Sequence, residues 1–163
     1  MGENNERRFG VLVACFAATL YLALVVATFG LVGLFTDREV LAGPPHGPLL
    51  EPTMVAAAAL AVFIECVFMS RIRAGATLGV SLVRSIAVGF VAYLVYLVTG
   101  GIVVGVSAGG VMSGVVFIGE IALTPFAAAI GIIATVTTIL FAAAIAYRAR
   151  NDYRPRWPWE RDI

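Results

Sequence analysis

The chain has 163 residues, of which 61% are hydrophobic and only 13% charged, with a formal net charge of +1 and a mean hydropathy of +0.98. A soluble domain carries roughly 45–50% apolar and about 25% charged residues, so this chain has too little polar surface for water. The composition is a poor fit to a soluble enzyme, a disordered tail or a nucleic-acid-binding domain. It reads as an integral membrane protein.

A spanning helix needs about 20 consecutive apolar residues. The first run, Phe9 to Phe35, contains no charge and is long enough to tilt or to project from the bilayer. It is too long for the core of a signal peptide, and Arg7-Arg8 abuts Phe9 without the spacer of a twin-arginine signal. It is therefore expected to be an uncleaved first span, preceded by a short N-terminal segment, residues 1–8.

Residues 36–51 form a loop, because the run Gly43-Pro44-Pro45-His46-Gly47-Pro48 breaks any helix. Pro52 suits the first turn of a second helix, where its missing N–H costs nothing, and that helix is expected over 52–73. From Ala74 to Tyr147 the chain is apolar apart from Arg84 and Glu120. A turn at 74–75, a third helix over 76–99 and a fourth over 121–147 divide it. Between the last two lies the glycine-rich segment 100–120, which could be an outer loop, a helical extension of both spans, a re-entrant hairpin or even a fifth span.

Charge decides the number of crossings. With four spans and both termini inside, Arg7, Arg8, Arg71, Arg73, Arg84, Arg148, Arg150, Arg154, Arg156 and Arg161 lie on the inner side and only Arg38 outside. The positive-inside rule predicts that asymmetry, whereas five spans would put the C-terminal arginines outside. The expected fold is an all-α, four-span bundle in a bacterial cytoplasmic membrane.

Glu65 and Arg84 are the charges expected within the spans, equidistant in sequence from the Ala74-Gly75 junction. Burying either at the bilayer centre costs about 2.5–3.5 kcal/mol on insertion scales, so an ion pair between them would be relieving. They form either a staple of the hairpin or a carboxylate facing a water-filled cavity. Glu120 precedes the fourth helix and reads as a helix-entry acid favoured by the N-terminal dipole, or as an acid at a pore mouth.

Gly101, Gly105 and Gly109 repeat every four residues, and Gly110 with Gly114 begins a second series. Such spacing lines one helix face with glycine and lets another helix approach closely, as a dimer seam or an internal one. His46 is the single histidine, and Cys15 and Cys66 show no metal-ligand or CxxC spacing, so neither a cofactor nor a metal site is expected. Both cysteines read as small buried hydrophobes near the inner ends of their helices.

In the tail, 148–163, Arg148, Arg150, Arg154 and Arg156 precede Trp157 and Trp159, with Pro155 and Pro158 between them. That alternation suits a segment on anionic inner-leaflet headgroups, or a docking peptide for a membrane-protein partner. Nucleic acid is not expected.

The arginine pair Arg7-Arg8, the Pro/Gly loop, the Arg71-Ile72-Arg73 turn and the Arg154-Pro-Arg-Trp-Pro-Trp159 tail together resemble small, uncharacterised four-span membrane proteins of high-GC Gram-positive bacteria. The resemblance implies architecture and no activity. The functional expectation is a non-enzymatic accessory or scaffold component of a membrane complex; the alternative is a homo-oligomeric small transporter or channel using Glu65.

Overall fold

The computed structural model describes residues 2–36, 49–72 and 78–151. They form five helices in the order α1 (Gly2–Thr36), α2 (Leu50–Ile72), α3 (Leu78–Ser107), α4 (Val111–Ala122) and α5 (Pro125–Asn151). Four are long and apolar enough to cross a membrane, over Gly10–Phe35, Leu50–Met69, Leu82–Ser107 and Pro125–Tyr147. The all-α, multi-pass architecture is therefore present, with a fifth, short helix added to it.

Helix boundaries extend past the expected ones at several points. α1 begins at Gly2, so residues 2–8 continue the first span as helix. α2 begins two residues early, with Pro52 still inside its first turn, where the backbone N–H groups have no intrahelical partner. α5 runs on through Asn151 into the expected tail. The turn expected at 74–75, the loop with His46, and Arg154, Arg156, Trp157 and Trp159 lie outside the described residues.

Of the forms open to the segment 100–120, the structure shows helix on both sides of a reversal. The segment is not a loop: α3 continues as helix to Ser107, reverses, and returns as α4. The reversal is made by Gly109, whose φ of +70° is the left-handed conformation that glycine adopts without strain. The Gly110 N–H donates to the Gly105 carbonyl (3.0 Å) and the Gly109 N–H to the Val106 carbonyl (3.4 Å). Those two bonds are a Schellman closure, which satisfies carbonyls at the end of α3 that lipid could not.

A second interruption separates α4 from α5. The Thr124 hydroxyl donates to the Ile121 carbonyl at 2.8 Å and accepts from the Ala127 N–H at 3.3 Å. Thr124 is thus the N-cap of α5, with Pro125 in the first helical position. Across the bundle, the Tyr93 hydroxyl donates to the Ala122 carbonyl at 2.9 Å and closes the end of α4.

α4 and then α5 run back along α3, antiparallel to it. Gly101 of α3 faces Gly114 and Ile118 of α4, and further down α3 Gly89 faces Gly131 of α5. α4 thus covers the C-terminal part of α3, and α5 alone is long and apolar enough to be the fourth span. α1 packs on α2 and α5, and α3 packs on α2, α4 and α5, so the ring runs α1, α2, α3, α5. Its core holds Tyr21 of α1, Met54 and Val62 of α2, Ala92 and Tyr96 of α3, and Ile130 and Ala134 of α5. Phe29 of α1 meets Phe126 of α5 edge-on, with ring centroids 5.3 Å apart.

Candidate functional site

Hydroxyl groups inside an apolar bundle must find partners or leave costly unpaired dipoles. Most of those in α5 are consumed by their own helix. Thr135, Thr137 and Thr138 donate to the carbonyls of Gly131 (2.9 Å), Ile133 (2.8 Å) and Ala134 (2.7 Å). They are packing residues whose side chains have no donor left for a ligand.

Tyr21 and Tyr96 behave differently. Each is 0% exposed, and neither hydroxyl has a hydrogen-bond partner among the described residues. The two phenols lie within electrostatic range of each other, and Tyr96 lies within range of Glu51, at the start of α2. The cluster joins α1, α2 and α3 in the interior of the ring. Two unsatisfied hydroxyls and a half-buried carboxylate are polar groups set into an otherwise apolar bundle. Sequence reading passed over all three residues. The available signal was that Tyr21 and Tyr96 place polar atoms in otherwise apolar spans, and that Glu51 adjoins the helix-opening proline.

The expected Glu65–Arg84 pair is placed on α2 and α3, with both residues half-buried. Among the described residues no ion pair joins them within 4.0 Å. Equal distance from a turn sets depth only; contact also requires the two side chains to point at each other around their helix axes.

Glu120 is exposed in the last turn of α4 rather than at the entry to the fourth long helix. It therefore sits at the negative end of a helix dipole, not the positive end assumed for it.

The glycine series divides by role. A Cβ on Gly101 would collide with Ile118, and one on Gly114 would collide with the Gly101 carbonyl oxygen and lie 3.4 Å from the Gly105 Cα. Gly101, Gly105 and Gly114 are thus an internal α3–α4 seam. Gly109 is off that face, forming the turn, and Gly110 is the extended residue that caps α4. A second close crossing joins α3 to α5: a Cβ on Gly89 would lie 2.6 Å from the Gly131 carbonyl oxygen and strike the Thr135 side chain. Its signals were Ser85-x3-Gly89 and Gly131-x3-Thr135, the same small-residue spacing in less glycine-rich surroundings.

Cys66 is buried as expected, whereas Cys15 is exposed, and both are free thiols. Arg148 and Arg150 lie in the last turns of α5. Among the described residues no group of three or more His, Cys, Asp or Glu side chains could hold a metal ion.

A family model matches residues 3–163, nearly the whole chain; it is that of a family of unknown function, DUF6121. The chain belongs to that family. DUF6121 brings no activity with it, so the reading of the site rests on the residues themselves. No curated protein and no solved structure matches the chain.

Proposed function

We propose that the protein is a non-enzymatic accessory or scaffold component of a complex in a bacterial cytoplasmic membrane, with both termini inside. Four candidate spans support termini on one side, and the arginine asymmetry, ten against Arg38 alone, favours that side being the cytoplasm. The observation that carries the accessory role is α4. Only Gly114, Phe117 and Ile121 of this helix are buried, while Val111, Met112, Val115 and Val116 are exposed apolar groups. Its packing is overwhelmingly against α3, so it adds an apolar face to the ring rather than closing it. A partner's membrane helix is the occupant that such a face suits. The basic-aromatic tail, with Arg148, Arg150, Arg154, Arg156, Trp157 and Trp159, provides the inner-leaflet anchor or a second partner contact.

The test is purification from the native membrane in gentle detergent. One membrane protein at stoichiometric level, lost from the variant Val115→Arg and retained by the lipid-side control Val83→Arg, supports the reading. Equal recovery from both variants, or no stoichiometric partner, contradicts it.

A second reading rests on Glu65. A half-buried carboxylate in a span, with no ion pair to Arg84, is what a proton-coupled homo-oligomeric transporter requires. Proton flux in vesicles that is abolished by Glu65→Gln would favour it over the accessory role.

A further inference from the structure

Between α1 and α2 runs a groove of about 870 Å³, lined by apolar side chains that include Leu22, Val26, Ala56, Leu60 and Phe63. Small residues create it: Ala18 and Gly30 on α1 and Ala56 and Ala59 on α2 leave space that larger side chains would fill. Val26 and Leu60 on its rim are more than half exposed, so the groove opens sideways, toward lipid. Among the described residues lining it, the one charged group is Glu51, at the end where α2 begins.

We propose that this groove is a lipid-binding site: it takes an acyl chain of an amine-headed phospholipid, whose ammonium group pairs with the Glu51 carboxylate. Length supports the chain. From Phe63 to Glu51 the groove follows α2 for roughly 18 Å, and one leaflet of a hydrocarbon core about 30 Å thick is roughly 15 Å deep. Charge supports the head. Glu51 lies in the first turn of α2, where the helix dipole favours the carboxylate against the burial that opposes its charge. An ammonium donates charge-assisted hydrogen bonds to it, whereas an anionic glycerol headgroup would bring a second negative charge against it. The inference depends on membrane embedding alone, not on the accessory role, so failure of one leaves the other standing.

The test uses the full chain in nanodiscs made from equal parts phosphatidylethanolamine and phosphatidylglycerol, released into native mass spectrometry. The wild-type protein is expected to retain phosphatidylethanolamine preferentially, and Glu51→Gln to reduce that preference about tenfold, the equivalent of one pairing interaction. Gly30→Leu supplies a second variant, because a Cβ there meets nothing within 4 Å. It should fill the groove, preserve the fold and lose the retained lipid altogether. Equal retention of the two lipids by the wild type, no retained lipid, or an undiminished preference in Glu51→Gln would each overturn the proposal.

Discussion

The α3–α5 crossing and the α1–α2 face are both built from small residues, with opposite results. At the first, Gly89 and Gly131 stand opposite each other, and a Cβ on Gly131 would lie 3.2 Å from the Gly89 carbonyl oxygen. The backbones themselves are in contact. At the second, a Cβ on Gly30 would meet nothing within 4 Å, and Ala18, Ala56 and Ala59 line open space. Small side chains therefore bring helices together only where they face backbone on the partner. Elsewhere they leave a hollow. In a bilayer the distinction matters more than in water, because lipid is as apolar as leucine and van der Waals contact, rather than burial, holds the helices together.

The strongest way to break this comparison is to add the same side chain on each side of it. Gly89→Leu should force α3 and α5 apart and cost about 3 kcal/mol, as overpacking against a backbone does. Gly30→Leu should leave the melting temperature in detergent unchanged or raise it, since leucine is the better helix former. Similar losses from the two variants would remove the distinction.

A smaller effect is expected at the α3–α4 reversal. Gly109→Ala places a Cβ on a residue at φ +70° and should cost about 1 kcal/mol, read as faster proteolysis at residues 108–110 with the ring intact. Unaltered proteolysis would argue against the left-handed turn. The smallest effect sharpens the account of the core. Tyr96→Phe removes a buried hydroxyl without a partner among the described residues and should stabilise the fold by up to about 1 kcal/mol. A lowered melting temperature would instead mean that the hydroxyl is engaged, with a bound polar molecule as its partner.

Run length alone made the four long helices legible, because an uninterrupted apolar stretch of spanning length has few alternatives to a helix. The interruption at Leu123-Thr124 was harder to see. Thr124 and Pro125 are an N-cap and first-position pair, yet they lie inside a long apolar run, so the cap signal was outweighed. Gly109 shows a related ambiguity. Its four-residue spacing from Gly105 suits a packing face, and only the chain's reversal reveals it as a helix stop. Glu65 and Arg84 mark a further boundary, since sequence fixes their separation from the turn but not their azimuth around two packed helices. Tyr21 and Tyr96 stayed hidden because buried tyrosines are ordinarily satisfied, and satisfaction is a property of the neighbours.

The central contrast, a closed α3–α5 seam beside a lipid-filled α1–α2 groove, is tested most directly by labelling from within the bilayer. Phospholipids carrying a photoreactive diazirine near the chain end would be incorporated into membranes holding the intact protein, and the adducts mapped by peptide sequencing. The account predicts labelling of Ala59, Leu60 and Phe63, at the end of the groove far from Glu51, and none of the buried Gly89 or Ala92. Equal labelling of the two sites, or labelling of the seam alone, would contradict it.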